Sequence, residues 1–559
     1  MNRCYLAVTA LCIAVIGGSP SWAQVPRAGD VLRETQPPPR PLPSLETEEG
    51  VVPQPPTPTP PKRVQPSATV KLNAVRFSGN TIFSEAELQA VVGEVAGLTV
   101  TMTELDEMTA RVTAKYREAG YPVAQAYLPR QDLTSGVLEI GVLEGRVGKV
   151  STDTAPEAPI SDATVRRFLK PVKPGEPLRA RDMERAMLLL SDLPGIAPQA
   201  ALEQGDDSGT VDLHVEVKPT RSWDLSATLD NHGSESLGEH RLGLVGRLNS
   251  PFNIGDNLDL NISYALDGDV NYGRIGYEIP VGYQGLRAGI GYSHMAYEVS
   301  DDFDEIDPEG TAKVFDLSLH YPLVRRRHQN VVLGLVYEHK KLSDETIFSD
   351  TDKTVQMLSG AVNFETNDAY FGGGFSGGNV RLSFGDLELD DARSKAFDSA
   401  PNGLDTRGGF TRLNYRLTRL NTLYGAASMY VAISGQLTDE NLDSAEKTAL
   451  GGPSAVRSYS SSHGVVDEGH VLNTELRYVL HQDFSAFAFY DRGWGHLDHD
   501  PSFDGANSVR MTGYGLGFYW SAPERVYVQA TIAWADGSDT EQEEHNRDPR
   551  IFVQVSKAF

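Results

Sequence analysis

The chain has 559 residues, with 76 acidic against 50 basic side chains and a formal net charge of −26, which argues against nucleic acid as a partner. Its mean hydropathy is negative, and beyond the N-terminus no apolar run approaches the roughly 18 residues of a membrane helix. Any membrane form must therefore be a closed barrel, because only helices and closed barrels satisfy every backbone group in lipid.

Met1-Asn2-Arg3, an apolar run from Cys4 to Ile16, then Gly17, Gly18, Pro20 and Ser21-Trp22-Ala23 read as a secretory signal cleaved after Ala23. The only cysteines, Cys4 and Cys12, lie inside it, and Cys12 follows Leu11 where a lipoprotein signal would have a small residue. A mature chain without cysteine has no disulfide and no thiolate metal site. Residues 24–68 carry Pro37-Pro38-Pro39-Arg40-Pro41 and a second proline series from Pro53 to Pro61, the composition of an extended tether. Only Ala28 to Gln36 could form a short helix, a candidate plug, before it.

Residues 69–220 contain one pattern twice. Lys71 to Phe77 alternates as a strand, and Gly79-Asn80 turns the chain. Ser84-Glu85-Ala86-Glu87 and Thr101-Met102-Thr103-Glu104 are capping boxes that open helices, the second with Leu105, Met108, Val112 and Tyr116 on one face. Ala124 to Leu128 and Val137 to Val142 close the unit as strands. The order recurs over Lys149 to Thr152, Asp162 to Leu169, Arg181 to Leu193, Pro198 to Glu203 and Val211 to Val217. Two tandem α/β modules, 69–147 and 148–220, each a sheet covered by two helices, are expected.

From residue 221 onward the period becomes two. Leu258, Leu260, Ile262 and Tyr264 alternate with Asp259, Asn261 and Ser263, and the same alternation recurs over Leu286 to Tyr292 and Phe315 to Tyr321. This apolar-out, polar-in alternation marks a transmembrane antiparallel β-barrel with a wet lumen, and the chain length accommodates roughly 14 to 18 strands at about 10 residues each plus connections. Ile551, Val553, Val555 and Phe559 share one face of the last strand, and the terminal Phe559 is of the kind that directs barrel assembly. Lys557 interrupts that face and is expected to snorkel at the rim.

Several segments invite other chemistry. Gly374-Phe375-Ser376-Gly377-Gly378 fits a nucleophile elbow, and Gly372, Gly374 and Gly377 fit a dinucleotide fingerprint, but both require a helix next, whereas Asn379 to Leu389 keeps period two. His496, Asp498, His499 and Asp500 fall between strands and read as a solvated loop, as do the acidic runs Asp301 to Glu309 and Asp536 to Glu544. Tyr514 and Phe518 to Trp520 read as a lipid-facing girdle, with Gly513, Gly515 and Gly517 packing the wall. Neither an enzyme nor a cofactor is expected.

Val456-Arg457-Ser458-Tyr459, in a glycine- and serine-rich stretch, and Phe489-Tyr490-Asp491-Arg492-Gly493 place a lone arginine and a lone aspartate among aromatic and small residues. Such a pair suits a pore that pins a loop to its own wall. With Leu229-Asp230-Asn231-His232-Gly233-Ser234, Gly435-Gln436, Gly451-Gly452-Pro453 and Glu475-Leu476-Arg477-Tyr478, these stretches resemble the outer-membrane transporters of two-partner secretion, the haemolysin and filamentous-haemagglutinin type. The family pattern has glycine where this chain has Ser458.

The resemblance implies two periplasmic POTRA domains, a sixteen-stranded barrel over 221–559 in the outer membrane of a Gram-negative bacterium, and a loop-to-wall gate of Arg457, Tyr459, Asp491, Phe489 and Gly493. It implies a motif at the start of the barrel in Asp230, Asn231 and Gly233. The partners it implies are a secreted exoprotein, captured through its N-terminal targeting domain, outer-membrane lipid and the barrel-assembly machinery. An assembly factor that inserts other outer-membrane proteins shares this architecture and is the alternative; a hydrolase built on Ser376 is the third class.

Overall fold

The computed structural model describes residues 26–35, 51, 69–207, 209–299, 306–502, 505–536 and 547–559. The expected signal segment, most of the proline tether and the acidic residues 537–546 lie outside these. Helix α1 (Ala28–Thr35) stands before the first module.

The first module runs β1 (Thr69–Lys71), β2 (Ala74–Ser78), α2 (Glu85–Val92), β3 (Thr99–Thr101), α3 (Met102–Glu118), β4 (Gln125–Tyr127) and β5 (Val137–Leu143). Both expected capping boxes form: Ser84 with Glu87, and Thr101 with Glu104. The single strand expected over Lys71 to Phe77 is instead broken at Leu72-Asn73, because Leu72 is fully buried and its flanks pair with different strands, β1 with β3 and β2 with β5. Leu105, Met108, Val112 and Tyr116 of α3 pack with Leu138 and Ile140 of β5 in one core.

The second module runs β6 (Arg146–Thr154), α4 (Asp162–Phe168), α5 (Ala180–Ser191), β7 (Ile196–Gln204) and β8 (Thr210–Pro219), with sheet order β6-β8-β7 and a core built on Met187, Leu188, Leu190, Leu213 and Val215.

Glu144 joins the modules. Its buried carboxylate accepts from the Ile82 amide at 2.8 Å, the Tyr116 hydroxyl at 3.2 Å and the amide and hydroxyl of Thr81, while Arg146 reaches both it and Thr81. Burial alone would raise its pKa; the hydrogen bonds from Thr81, Ile82 and Tyr116 outweigh that and hold it below the usual range. A carboxyl with a depressed folded pKa contributes stability above its unfolded value, about 4.3, and loses it as pH falls through the folded one. Hydrogen-exchange protection of residues 79–88, corrected for intrinsic rates, should drop between pH 6 and pH 3. In Glu144→Gln it should start lower, by about 2 kcal/mol, and lose that pH dependence.

The remaining strands are β9 (Trp223–Asp230), β10 (Arg241–Asn249), β11 (Asn257–Ala265), β12 (Asp269–Val281), β13 (Leu286–Glu298), β14 (Glu309–Arg326), β15 (Gln329–Thr346), β16 (Ser349–Asp368), β17 (Gly374–Leu389), β18 (Gly408–Tyr424), β19 (Ala427–Thr438), the short β20 (Thr448–Ala449) and β21 (Val465–Val466), β22 (Glu468–His481), β23 (Phe484–His496), β24 (Ser508–Ala522), β25 (Val526–Ala535) and β26 (Arg550–Ala558). Among the described residues, sixteen of these, all but β20 and β21, close into one antiparallel barrel. Leu258, Leu260, Leu317 and Leu319 face outward, while Asp259, Asp316 and Ser359 face in. No described helix is long and apolar enough to cross a membrane, which says nothing of strands.

Gly374 to Gly378 opens the 16-residue strand β17, and the Ser376 hydroxyl accepts from Arg419 at 2.7 Å. The second module docks on the turns at the end of the barrel where β9 begins. Arg325, at the foot of β14, holds Asp192 through Nε at 2.9 Å and a terminal nitrogen at 2.7 Å; Arg185 donates to the Pro322 carbonyl at 2.8 Å, and Phe168 meets Tyr283 edge-on at 5.5 Å.

Candidate functional site

The connection between β19 and β22, residues 439–467, turns back into the lumen. β20 and β21 pair within it, and Gly452, at φ +115°, turns its tip so that its amide donates to the Tyr459 carbonyl at 3.0 Å. Leu450, Val456, Tyr459 and Val466 on its underside pack against Val471, Val509 and Met511 of the wall. Burial of that apolar face places the tip; polar groups then fix its register.

At the tip Arg457 is 4% exposed and Asp491, on β23, fully buried. The guanidinium donates to Asp491 through Nε and a terminal nitrogen, both at 2.8 Å, and the Arg457 amide donates to the same carboxylate at 3.1 Å. Its other terminal nitrogen donates to Glu475 on β22 at 2.6 Å. Asn473, next inward-facing residue on β22, donates from its amide to Asp491 and to the Ala455 carbonyl, each at 2.8 Å. Arg477 and the Tyr519 hydroxyl complete the shell of Glu475. The Phe489 ring lies 3.7 Å below the guanidinium carbon and Phe487 5.8 Å away. Aromatic faces exclude water on one side and offer a cation–π surface on the same side.

Glycines in the wall make room. A Cβ on Gly513 would fall 2.3 Å from the Ser458 hydroxyl, and one on Gly515 2.5 Å from the Phe489 ring. Ser458, where the family pattern has glycine, is absent from the residues with positive φ, so its side chain costs no backbone strain, and it sits in the hollow left by Gly513.

The same connection seats α1. Ala28, Val31 and Leu32 are buried against lumen residues Met295, Val314, Val355 and Met357. The Ala28 amide donates to Asp344 at 2.5 Å, Arg33 to the Ser444 carbonyl at 2.9 Å, and Gly29 lies so close that a Cβ would be 2.4 Å from the Ala445 nitrogen. Lys353 bridges Asp443 of the connection at 2.9 Å and Asp344 of β15 at 3.5 Å. The eight residues of α1 thus sit within the lumen, against both the wall and the connection.

The family described as "Haemolysin secretion/activation protein ShlB/FhaC/HecB" matches residues 209–520, more than half of the chain. The chain belongs to that family. The description "POTRA domain, ShlB-type" matches residues 70–145. Among curated relatives, the "Heme/hemopexin transporter protein HuxB" of Haemophilus influenzae is 24% identical over 462 residues, 80% of each chain. The "Outer membrane transporter CdiB" of Escherichia coli is 24% identical over 450 residues, 77% of this chain and 74% of its own. The solved structure of CdiB from Escherichia coli shares the fold, with a TM-score of 0.69 at 21% identity over 90% of this chain and 93% of that one. The protein is thus an outer-membrane transporter of two-partner secretion, with its POTRA domains in the periplasm.

Of the residues that the family resemblance singles out, the structure brings Arg457, Phe489 and Asp491 into contact. Tyr459 lies beside them in the apolar underside, and Gly493 lies under Val456, whose Cγ2 would be 3.0 Å from an added Cβ. Asp230, Asn231 and Gly233 sit elsewhere, at the extracellular end of β9. Asp230 holds Arg241 at 2.9 Å, which in turn donates to the Glu34 carbonyl of α1 at 3.1 Å. Gly233 lies 2.0 Å, counted from an added Cβ, from the Gly238 carbonyl. Asn231 works at the closing seam: β9 and β26 pair over only five residues, and the Asn231 side chain adds hydrogen bonds to the Val553 amide at 2.7 Å and the Ile551 carbonyl at 2.8 Å. Phe559 donates its amide to Leu225 and accepts from Arg221 at the opposite end of the seam.

Asn473 and Phe487 carry no expectation from the sequence, and Glu475 and Arg477 enter it only within the family stretch Glu475-Leu476-Arg477-Tyr478, with no role. The signal was available: Asn473, Glu475 and Arg477 alternate with Leu472, Thr474 and Leu476, and three polar residues on one strand face mark a polar lumen. Tyr519, expected in the lipid-facing girdle with Phe518 and Trp520, faces the lumen instead, stacked 4.6 Å from Phe487, because neighbours on a strand point to opposite faces. Asp498 holds Lys447 of the connection at 2.8 Å, and the His499 amide donates to Asp467. These two residues anchor the loop.

Proposed function

We propose that the connection bearing Arg457 and helix α1 form one removable stopper in a protein-conducting barrel. A secreted partner, captured through its N-terminal targeting domain by the two modules 69–147 and 148–220, displaces this stopper and passes through 221–559 as an extended chain. The observation that carries this reading is the double grip of Arg457 on Asp491 and Glu475: a lumen of sixteen strands is wide enough for an aqueous channel, and beside the apolar contacts of α1 and the loop with the wall, the register of the loop is held by polar contacts that can be exchanged. Strands β2, β4, β6 and β7 are the edges of the module sheets and offer main-chain hydrogen bonds to an extended segment. No catalysis is assigned, since Ser376 belongs to the barrel wall. Folding of the partner outside the cell supplies the drive, and the barrel-assembly machinery inserts the transporter through its Phe559 end.

Deletion of residues 70–147 tests the capture step. The shortened protein should still insert, as judged by its heat-dependent gel shift, and export of the partner should fall to background. Unchanged export by an inserted barrel would remove the first module from recognition.

A further inference from the structure

The bases of the barrel divide by face. Within the lumen they are mostly neutralised: Lys340 holds Glu446 at 2.7 Å, Lys353 holds Asp443, Arg412 holds Glu446 at 2.6 Å and Arg274 holds Asp316. On the outward face of β13 to β15 the reverse holds. Lys341 follows Lys340 directly and so points the other way, out of the wall; it is exposed and opposite Lys313 in the ladder, and Lys313 is opposite His294. Among the described residues none of these three side chains forms an ion pair. In a protein of net charge −26 three neighbouring outward bases with no ion pair among the described residues are unexpected. Like charges directly across a ladder repel, and among the described residues the nearest outward carboxylate on the neighbouring strand, Asp352 of β16, is diagonal to Lys341 and accepts from the Ser343 hydroxyl at 2.6 Å.

Their height in the wall says which anion would suit them. Below Lys313, the outward residues of β14 are Phe315, Leu317, Leu319, Tyr321 and Leu323. At about 3.3 Å per residue and a tilt of roughly 40°, that run covers about 20 Å of membrane thickness, close to a full apolar band. Tyr292 and Phe315, cross-strand partners, end the band as its outer aromatic girdle. His294, Lys313 and Lys341 come two residues further out, at the level of the headgroups of the outer leaflet. Glu298, Glu309, Glu345 and Asp350 form the outermost row of the same face, about 13 Å beyond the lysines, and Asp352 lies between the two rows, opposite Ser343.

We propose that Lys313 and Lys341, flanked by His294, form a binding site for a phosphate-bearing lipid headgroup of the outer leaflet. The two ammonium groups straddle the phosphate, which converts the cross-strand repulsion into a bridge, and Phe315 and Tyr292 lie against the upper acyl chains. The site faces lipid, on the side of the β13–β15 wall away from the lumen, so it fixes the depth and rotation of the barrel in the membrane without touching the secreted chain.

The test uses the purified full chain in zwitterionic detergent, with fluorescent bisphosphorylated lipid A, its dephosphorylated counterpart and inorganic phosphate as probes. Bisphosphorylated lipid A should bind at least tenfold more tightly than the dephosphorylated form. Lys313→Gln/Lys341→Gln should lose that preference, and Lys557→Gln at the opposite rim should keep it. Lys341→Glu, which places an acid opposite Lys313, should lose lipid A as well and yet raise the unfolding temperature in lipid-free detergent. Equal binding of the two lipids, an undiminished preference in either variant, or competition by inorganic phosphate at the lipid's own concentration would each overturn the proposal, the last by assigning the site to a free anion. If the double variant does not fold, Lys341→Glu alone decides by the same criteria.

Discussion

Arg457→Ala should abolish export while leaving the barrel in the membrane. The substitution strands Asp491, which keeps only Asn473 as a side-chain donor, and strips Glu475 of one of its two bases. Removing one partner from a buried pair costs about 3 to 5 kcal/mol, because the other charge stays buried and unpaired. Asp491→Ala should be milder, since Arg457 retains Glu475, and Arg457→Ala/Asp491→Ala should be no worse than Arg457→Ala alone. Secretion of the partner by the three variants, normalised to heat-shifted barrel, checks this; strictly additive defects would mean that the two residues act separately.

Gly29→Val should open the pore. The added Cβ would lie 2.4 Å from the Ala445 nitrogen, where the obstacle is backbone and has no rotamer to yield. With α1 expelled, the lumen loses the side chains of Val31 and Leu32, and single-channel conductance in planar bilayers should rise severalfold over the wild type. Asp344→Asn, which weakens the bond to the helix N-terminus and the pairing with Lys353, should give brief openings between closed periods. Identical conductance in Gly29→Val and wild type would sink the assignment of α1 as a plug.

Much of this architecture is legible in the sequence because periodicity and capping are local signals. Leu258 to Tyr264 declares its face by alternation alone, and Ser84 and Thr101 declare helix starts by the glutamates three residues on. The meeting of Arg457 with Asp491 is suggested by two isolated charges in apolar surroundings. Asn473 and Glu475 are harder, because polar residues on a lumenal strand are the rule, and only the returning loop singles out two of them. Tyr519 was misplaced because an aromatic run was read as a block, whereas in a strand every second member of such a run faces the other way. The seat of α1 has no local signal at all: it depends on Ala445 and Asp344, more than three hundred residues away in sequence.

The seam between β9 and β26 bears on how the molecule comes into being. Its five rungs join Asp230 to Gln554, Ser226 to Ala558 and the three pairs between, the most widely separated partners in the ladder. Closing so long a loop is entropically the most expensive contact of the fold, and it cannot be made until β26 has been synthesised and delivered. The fifteen other pairings join strands that follow one another around the wall, many through short turns and β19 with β22 through residues 439–467; this one must wait for all of them. The Asn231 side chain, bonded to the Val553 amide and the Ile551 carbonyl, adds two hydrogen bonds to the one closure that has to come last.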